Sequence, residues 1–578
     1  MPPETIPDLL SARARASPDA PAFLSAGAAG TWQPVTWREF AADVDRLSGA
    51  LHRAGVTLGT RVGIVARTSV DWERAQMAAL AVGALVVGID PNYPAETLAR
   101  VLESTAPEVL FVDDEATVAR LPPAAHARLV LAFRGADGGV ARSLAAFTGD
   151  GHRNEPPEQR PVGDTDAIVA FSSGTTEFPK PIVYTHRQVL LAVEAILASF
   201  AEIDGSSRLA CWLPLANLFQ RIINFCAMAR GASSYVVPDP REVVEHLGTI
   251  RPHVFIGVPR FFEKVQAGIA ERIGGDGWFM AAVAHWAIDQ GRMGASGKRS
   301  GVFERLRFGL ADRAVLRRVR AVFGGEARYL ISGSAPMPVW LLEWFDAIGL
   351  PVFEAYGISE CIVPIAMNRP GARRLGTVGQ PMATNDVRLG ADGEVLVRGP
   401  GVFKGYMGSG SGSRPNADGF WATGDLGEVT PEGYLRLTGR KSDTFKTSGG
   451  RWVVPARVEA SLRRTPYVEH AVVLRAGADA VVAIINVDLA RLRGAPAAPE
   501  VALSAAERER VVRDAAAALA DVPAHARPTG FLVVTTPFST TAGDLTTNLK
   551  LRRAAIAARF APDLERLLAI PAPAVLVA

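Results

Sequence analysis

A run of small hydroxylated residues with a single lysine stands out in the first third of the chain. It reads FSSGTTEFPKPIVYTH, from Phe171 to His186, with the apolar run AIVAF before it and the helix-like stretch QVLLAVEAILASF after it. A strand–loop–helix with Gly, Ser and Thr in its loop offers backbone N–H groups, hydroxyls and a helix N-terminus to an anion. Lys180 adds a point charge that suits a phosphate, so the pattern favours a nucleoside triphosphate. The stretch lacks the Gly-Lys-Ser/Thr ending of the Walker motif, and a simple polar turn is the alternative.

The elements around this loop alternate between helix-like and strand-like patterns. REFAADVDRLSGALHRAG, SVDWERAQMAALAVGA and AETLARVLESTAP have apolar residues at helical spacing, and RVGIVA, LVVGIDP and EVLFVDD are short apolar strands between and after them. This alternation predicts an α/β fold with parallel sheets covered by helices. The longest apolar run, Met77 to Ile89, is too short to span a bilayer and predicts a buried helix followed by a buried strand.

The pattern changes after about Gly376. NDVRLGADGEVLVRGPGVFKGY and GDLGEVTPEGYLRLTGR contain short strand patterns with Asp-Gly and Glu-Gly turns, which are typical of antiparallel hairpins. From about Lys441 onward, strand patterns (HAVVLRA, AVVAIINV, GFLVVT) mix with a helix pattern (SAAERERVVRDAAAALA), which predicts a small α+β unit. The composition of the stretch from Gly408 to Gly419 predicts a flexible surface loop.

Composition narrows the function classes. The chain has 578 residues, of which 48% are apolar, so it can form several domains with substantial cores. Its net charge of +3 is too small to indicate a nucleic-acid-binding protein. Cys211, Cys226 and Cys361 form neither a CxxC pair nor a zinc-ligand spacing, and the N-terminus has no signal-peptide pattern. We therefore expect a soluble protein of the reducing cytoplasm.

Further segments stand in a familiar order along almost the whole chain. They are ISGSAPMP, EAYGISE, GTVGQPM, GEVLVRGPGVFKGY, WATGDLGEV, TGRKSDTFKTSGGRWVVPARVE and LTTNLKLRR. With the loop at Phe171, they resemble the adenylate-forming superfamily of acyl-CoA synthetases, adenylation domains and luciferases. PLANLFQRI, GVPRFFEKV and LTTNLKLRR are most similar to the branch of long-chain fatty acyl-CoA synthetases.

The resemblance implies a fold and a division into domains. Residues 1–440 would form a large N-terminal domain of mixed and parallel sheets covered by helices, with a β-barrel-like subdomain. Residues 441–578 would form a small, mobile α+β domain that carries a catalytic lysine, Lys550. A hinge just after Arg440 would let this domain rotate between two half-reactions.

The resemblance also implies a reaction. A carboxylate attacks the α-phosphate of ATP to give an acyl-adenylate and pyrophosphate, and the thiol of coenzyme A then displaces AMP. The catalytic residues would be Lys550, Thr175 and Glu360, and Glu360 would also bind Mg²⁺. The residues expected to bind ATP and coenzyme A are Ser172, Ser173, Gly174, Thr175, Thr176, Lys180, Gly333, Ser334, Ala335, Glu354, Ala355, Tyr356, Gly357, Ser359, Asp425, Arg440, Lys446, Gly449 and Gly450.

Several of these residues have specific implied roles. Tyr356 would stack on adenine, and Asp425 would accept hydrogen bonds from the ribose hydroxyls with help from Arg440. Lys550 would stabilise the charge that builds up during adenylation. Gly449, in KTSGGRWVVP, would let the backbone pass close to the pantetheine arm of coenzyme A.

Four positions depart from the family pattern. Glu177 and Pro181 stand where glycine is usual, Asn217 stands where an aromatic residue or histidine commonly gates the carboxylate, and Ser442 replaces the usual hinge residue. These departures suggest a specialised member with an unusual acid or acceptor.

Three functions remain open at this point. The first is an acid–CoA ligase for a lipophilic acid, whose presumed pocket contains Trp212, Phe219, Phe225 and Met228. The second passes the adenylate to an amine or a carrier protein, or activates nitrite for diazotisation. The third is a nucleotide-binding protein without turnover. The expected partners are a small-molecule acid, ATP and an acceptor, with no nucleic acid and no transmembrane segment. Peripheral membrane contact and oligomeric state stay open.

Overall fold

The computed structural model describes most of the chain. The described ranges are residues 3–27, 30–122, 127–135, 140–149, 159–172, 178–275, 278–295, 302–408, 414–447, 449–476, 480–494, 503–539, 542–545, 551–570 and 574–577. The predicted surface loop at Gly408–Gly419 lies partly outside these ranges.

Within the described ranges, helices and strands alternate as the sequence predicts. The helices are α1 Ile6–Ala16, α2 Trp37–Arg53, α3 Val70–Ala81, α4 Ala95–Thr105, α5 Glu115–Ala119, α6 Leu144–Thr148, α7 His186–Ser199, α8 Leu218–Arg230, α9 Val243–Ile250, α10 Pro259–Gly275, α11 Trp278–Ala295, α12 Val302–Ala311, α13 Arg317–Arg320, α14 Val339–Ala347, α15 Pro455–Leu462, α16 Leu489–Arg493, α17 Ala505–Ala518, α18 Arg553–Arg559 and α19 Ala561–Leu568.

The strands are β1 Pro21–Ala26, β2 Trp32–Thr36, β3 Arg61–Val65, β4 Leu85–Ile89, β5 Val109–Val112, β6 Leu129–Ala132, β7 Arg142–Ser143, β8 Asp166–Phe171, β9 Pro181–Thr185, β10 Arg208–Cys211, β11 Ser233–Val236, β12 Val254–Gly257, β13 Tyr329–Ser332, β14 Val352–Ile358, β15 Cys361–Met367, β16 Gln380–Pro381, β17 Asp386–Leu389, β18 Glu394–Arg398, β19 Trp421–Val429, β20 Leu435–Arg440, β21 Phe445–Lys446, β22 Trp452–Val453, β23 Val468–Ala476, β24 Ala480–Val487, β25 Gly530–Val534 and β26 Ala574–Val577.

Contacts between Cα atoms divide the chain into two compact units. The large unit comprises Met1–Val387, Val397–Trp421 and Gly433–Leu435, and the small unit comprises Arg388–Leu396, Ala422–Glu432 and Arg436–Ala578. The expected domain boundary at residue 440 stays a prediction.

Two sheets organise the large unit. The first has seven strands in the order β7-β6-β5-β3-β4-β8-β9, and its neighbours are parallel except for the antiparallel pair β8–β9. The second has nine strands in the order β16-β15-β14-β13-β12-β10-β11-β1-β2, with antiparallel pairs only at its two ends. The predicted α/β fold with mixed sheets is confirmed.

The long apolar run is a buried helix followed by a buried strand, as predicted. Helix α3 ends at Ala81 and β4 begins at Leu85. Gly83 joins them with a φ of 78°, a left-handed conformation that glycine adopts without strain. None of the helices in the described ranges is both long and apolar enough to cross a bilayer.

The small unit contains the sheet β23-β24-β25-β26, the hairpin β21-β22 and most of a four-stranded sheet, β17-β18-β19-β20. This last sheet lies in the stretch after Gly376, where the sequence predicts antiparallel hairpins. In β24, Val481, Ala483 and Ile485 pack into one core with α15 and α17, while Val482 and Ile484 pack into another with α18 and α19. Apolar residues thus cover both faces of this sheet, as strand alternation requires.

Candidate functional site

The hydroxyl-rich loop lies at the closed end of a β-hairpin in the large unit. Phe171 of β8 pairs with Pro181 of β9. The backbone N–H of Ser172 donates to the carbonyl of Lys180 at 3.0 Å, and the Lys180 N–H donates to Ser172 Oγ at 3.1 Å. These bonds fix both ends of the loop. Ser173, Gly174, Thr175, Thr176 and Glu177 lie outside the described residues, so their roles stay predictions.

The expected strand–loop–helix arrangement is wrong, because β9 separates the loop from the helix. Helix α7 begins at His186 with a capping box made by Thr185 and Gln188. Thr185 pairs with Asp166, at the end of the hairpin opposite the loop. β9 has five residues, and at about 3.4 Å per residue its two ends lie roughly 14 Å apart. The positive end of α7 therefore does not serve the loop.

Ser359 and Glu360 are fixed beside the end of β8. Ser359 Oγ donates to the carbonyl of Phe171 at 2.8 Å, and the hydroxyl of Tyr184 donates to the carbonyl of Ser359 at 2.6 Å. The backbone N–H of Phe403 donates to the carbonyl of Glu360 at 2.9 Å. The structure thus brings two of the predicted residues to the end of the strand from which the hydroxyl-rich loop starts.

Tyr406 links Glu360 to Lys180, and sequence reasoning did not identify it. Its hydroxyl donates to Glu360 Oε1 at 2.6 Å. The ammonium group of Lys180 lies 5.6 Å from the centre of its ring, within cation–π range. Burial and the adjacent Glu360 carboxylate raise the pKa of Tyr406 above its usual range, so the hydroxyl stays a donor. The segment GEVLVRGPGVFKGY carried the resemblance, but no local spacing pointed to this tyrosine.

The segment after β13 is the one expected to form a wall of the nucleotide and acid site, and this role stays a prediction. A Cβ on Gly333 would lie 3.3 Å from Cε1 of Phe219, so the backbone there is close to an aromatic ring. Ser334 has a φ of 73°, in the left-handed region, and Ala335 follows it, exposed. Glu354 accepts a hydrogen bond from the Met337 backbone N–H at 3.0 Å. Burial raises the pKa of Glu354 to about 7.

Strand β14 carries the other predicted residues of this wall. Tyr356 is only 6% exposed, Ala355 is half-buried, and Gly357 is exposed. Adenine stacking by Tyr356 and ligand contact by Glu354 stay predictions. Glu354 has a structural role in addition, because its carboxylate binds the backbone of the segment at Gly333–Met337.

The small unit brings Asp425 and Arg440 together. Arg440 Nε lies 2.9 Å from Asp425 Oδ1, and Asp425 is 6% exposed. Lys446 lies in the hairpin β21–β22, with its ammonium group 4.8 Å from the centre of the Trp452 ring. This hairpin contains the exposed Gly449 and Gly450, whose φ is 74°.

Lys550 lies outside the described residues, but the residues on either side are placed. Leu545 and Leu551 form an antiparallel bridge. Arg553 pairs with the carboxylate of Glu459 at 3.1 Å and lies 3.6 Å from Asp443 Oδ2. Arg553 therefore has a structural role, and a fully solvated basic helix start is ruled out at this position.

The described departures from the family pattern occupy ordinary structural positions. Pro181 is the first residue of β9, where a missing N–H is tolerated, and its carbonyl accepts a hydrogen bond from Met407 at 2.9 Å. Asn217 is the N-cap residue of α8. Ser442 Oγ donates to Asp443 at 3.3 Å.

Of the presumed pocket residues, Trp212, Phe225 and Met228 are fully buried. Trp212 stacks on Phe255 in the core, at 5.7 Å between ring centres. In the described ranges no group of three or more His, Cys, Asp or Glu side chains could hold a metal ion.

Comparison with known proteins finds matches along most of the chain. The model of the family described as AMP-binding enzyme matches residues 10–407. A long-chain-fatty-acid–CoA ligase, FadD15 of Mycobacterium bovis, is 32% identical over 93% of this chain and 92% of its own. Human long-chain-fatty-acid–CoA ligase 1 is 26% identical over 74% of this chain and 66% of its own. The crystal structure of the anthranilate CoA ligase AuaEII with anthranoyl-AMP has a TM-score of 0.74 at 20% identity and covers 99% of both chains.

Proposed function

Because this chain belongs to the AMP-binding enzyme family, we propose that it activates a lipophilic carboxylic acid with ATP and transfers the acyl group to coenzyme A. In the first step the acid carboxylate attacks the α-phosphate and pyrophosphate leaves. In the second step the thiol sulfur of coenzyme A attacks the acyl carbon, loses its proton, and AMP leaves. The observation that carries the proposal is the meeting of Ser359, Glu360, Tyr406 and Lys180 at the base of the hydroxyl-rich loop.

This arrangement suits a polyphosphate. The loop from Ser172 to Lys180 offers hydroxyls and backbone N–H groups, and its ends are held by two hydrogen bonds. The ammonium group of Lys180 supplies positive charge for the β- and γ-phosphates. Within the small unit, Arg440 Nε lies 2.9 Å from Asp425 Oδ1, and acceptance of hydrogen bonds from the ribose hydroxyls by this carboxylate stays a prediction.

Glu360 is the residue assigned to Mg²⁺, and its surroundings fit that role. One carboxylate oxygen accepts from Tyr406, and no hydrogen bond to the other is found among the described residues. Mg²⁺ commonly binds through one or two carboxylates together with substrate phosphates and water, so a single carboxylate suffices. When bound, the ion would neutralise phosphate charge. The role of Tyr406 is to hold the Glu360 carboxylate in one orientation.

A single hydroxyl deletion tests the role of Tyr406. Tyr406→Phe should raise the Mg²⁺ concentration for half-maximal pyrophosphate release about ten-fold, because partners that orient a metal ligand typically contribute on that scale. Tyr235→Phe, which deletes a hydroxyl from β11 of the same unit, is the control and should leave the Mg²⁺ dependence unchanged. An unchanged dependence in Tyr406→Phe would contradict the proposed role of Tyr406 in orienting Glu360.

The acid class rests on the relatives. The curated relatives are named long-chain-fatty-acid–CoA ligases and match most of this chain. We therefore assign a long-chain or otherwise lipophilic acid to this chain, and coenzyme A as the acceptor. A cytoplasmic location fits the three cysteines, which are buried and unpaired.

The decisive experiment is a panel of short-, medium- and long-chain fatty acids and aryl acids, assayed for pyrophosphate release with ATP and Mg²⁺. The product is identified by mass spectrometry with and without coenzyme A. We expect release with lipophilic acids and an acyl-CoA product. Lys550→Ala should abolish release, whereas Arg552→Ala, at an exposed neighbour, should retain it. A conjugate formed without coenzyme A would instead identify another acceptor, and no release with any acid would refute the proposal.

A further inference from the structure

A chain of buried hydrogen bonds connects α3 with α8 in the large unit. Arg221 Nε donates to Gln76 Oε1 at 2.7 Å, and Gln76 Nε2 donates to Glu73 Oε2 at 2.9 Å. The other oxygen of Glu73 accepts from Asn224 Nδ2 at 2.6 Å. Gln220 Nε2 donates to Asn224 Oδ1 at 3.0 Å. These five residues, which we call the buried relay, are at most 3% exposed.

The buried relay ends on the backbone of the segment before α8. Gln220 Oε1 accepts from the backbone N–H groups of Trp212 at 3.3 Å and Leu213 at 3.2 Å. On the other side of this segment, Thr68 Oγ1 donates to the Leu213 carbonyl at 2.9 Å and accepts from the Leu215 N–H at 3.2 Å. The segment is therefore held by one side chain of α8 and by one side chain of the loop before α3.

The direction of the bonds in the relay is set by Arg221 and Glu73. Arg221 can only donate, and both carboxylate oxygens of Glu73 accept from side-chain amide nitrogens. The side-chain amides of Gln76, Asn224 and Gln220 consequently each have one orientation that satisfies all of their hydrogen-bond partners. Burial raises the pKa of Glu73 and lowers the pKa of Arg221 to about 10, which leaves Arg221 positively charged at neutral pH. Two buried ionisable groups cost desolvation free energy, which apolar residues of the same size would not cost.

The segment and the start of α8 lead directly to the predicted acid site. Asn217 occupies the N-cap position of α8, and the family resemblance assigns this position to the gate of the carboxylate. Two residues later, the ring of Phe219 lies against the backbone at Gly333, where an added Cβ would be 3.3 Å from Cε1 of the ring. A small shift of the first turn of α8 would therefore change both the carboxylate gate and the wall of the site.

We propose that the buried relay positions Asn217 and Phe219 and thereby sets the affinity of the enzyme for its acid. Glu73 and Gln220 are positioning residues in this scheme, since they act through the backbone at Trp212 and Leu213. The inference rests on the proposed function, because it concerns the acid of that reaction.

Glu73→Gln breaks the relay without adding volume or a buried charge. The new amide has one acceptor and one donor end, but it faces two donors, the amide nitrogens of Gln76 and Asn224. If the Asn224 amide flips, its nitrogen faces the donating nitrogen of Gln220. If the Gln220 amide also flips, its nitrogen faces the backbone N–H groups of Trp212 and Leu213. Two donors therefore face each other in every arrangement. We expect the KM for the acid to rise about ten-fold, as is typical of a displaced binding group, while the KM for ATP changes by less than about two-fold.

Adding Gln220→Glu to Glu73→Gln should restore the relay in the opposite direction. The carboxylate at position 220 would then accept from Trp212, Leu213 and a flipped Asn224, whose oxygen would accept from the new amide at position 73. The number of charges stays the same. The double variant should recover the acid KM to within about three-fold of wild type, which a general loss of stability would not predict.

Glu459→Gln is the matched control. Glu459 is also a buried glutamate, 9% exposed, and it accepts hydrogen bonds from the backbone N–H of Val473 at 2.7 Å and from Arg553 at 3.1 Å. It lies in α15 of the small unit. This variant changes comparable interactions by the same substitution and should leave the acid KM unchanged.

Amide hydrogen exchange provides a readout that does not depend on activity. Exchange across residues 212–219 should be faster in Glu73→Gln and should return to the wild-type rate in the double variant. If wild type releases pyrophosphate but Glu73→Gln has the wild-type acid KM, or if the double variant is not rescued, the inference is overturned. If wild type is inactive with every acid, the proposed function fails. In that case hydrogen exchange alone tests whether the buried relay positions residues 212–219. Unchanged exchange in Glu73→Gln would overturn this role of the relay.

Discussion

Glu354 shows that one side chain can have a role that its motif does not reveal. The resemblance places it among the nucleotide-binding residues, but its carboxylate binds the Met337 N–H and is 5% exposed. Burial raises its pKa to about 7 from a reference value of 4.5. The folded protein therefore binds this proton more tightly than the unfolded chain does.

This shift predicts a pH-dependent stability. The contribution of Glu354 to the free energy of unfolding is greatest below pH 4.5, falls as pH rises towards 7, and is constant above it. The fall is about 3 kcal/mol, at 1.36 kcal/mol per pH unit. Glu354→Gln keeps an oxygen for the Met337 N–H but does not titrate. In denaturant unfolding at pH 5 and pH 8, wild type should lose about 2 to 3 kcal/mol relative to this variant. Parallel changes in both proteins would contradict the prediction.

Individual site residues could be predicted only where a motif contained them. Ser359 and Glu360 were expected from EAYGISE, and the structure places them beside the hydroxyl-rich loop. Tyr406 was missed because its hydroxyl reaches Glu360 from 46 residues further along the chain. The buried relay was equally invisible, since Glu73 and Asn224 are 151 residues apart.

At the scale of elements, hydrophobic periodicity predicted the βα alternation, and the structure confirms it. The exception is the stretch before α7. PIVYT was included in the loop, although its last residue, Thr185, forms a capping box with Gln188. The short strand β9 forms the second arm of the hairpin β8–β9 and ends at the capping box. The N-terminus of α7 therefore lies one strand length away from the hydroxyl-rich loop.

The packing of α11 against α14 gives a prediction about elements. A Cβ on Gly291 of α11 would overlap the carbonyl group of Ala347 in α14. Gly291→Ala should therefore lower the free energy of unfolding by about 1 to 3 kcal/mol, because the helices must separate. Gly268→Ala, in α10 where no described atom lies within 4 Å of an added Cβ, should raise it by about 0.5 to 1 kcal/mol. Denaturant unfolding of both variants measures the difference, and equal effects would contradict it.

At the scale of the whole molecule, the order of motifs predicted the family correctly from the sequence. Two units are found, and the segments Arg388–Leu396 and Ala422–Glu432 cluster with the C-terminal part. These segments join the small unit through packing against residues far away in the sequence, which the sequence pattern could not anticipate.

The two half-reactions should be separable by a variant in the hairpin of the small unit. Among the described atoms, a Cβ at Gly449 would meet only Thr447 Oγ1, at 3.9 Å, so Gly449→Leu should fold normally. If the hairpin lines the path of pantetheine, this variant should slow acyl transfer to coenzyme A at least about ten-fold and leave pyrophosphate release unchanged. Single-turnover assays of each step measure this. Gly248→Leu in α9, also with open space, is the control, and normal transfer by Gly449→Leu would contradict the assignment.

The sheet β23-β24-β25-β26 has helices over both of its faces, and each face has its own apolar core. Such a sheet needs no apolar covering from elsewhere in the chain. This sheet and its helices are therefore autonomous in their packing: their internal cohesion does not depend on which surface they meet. A part of an enzyme that is packed in this way can change the surfaces it contacts while its apolar core continues to exclude water.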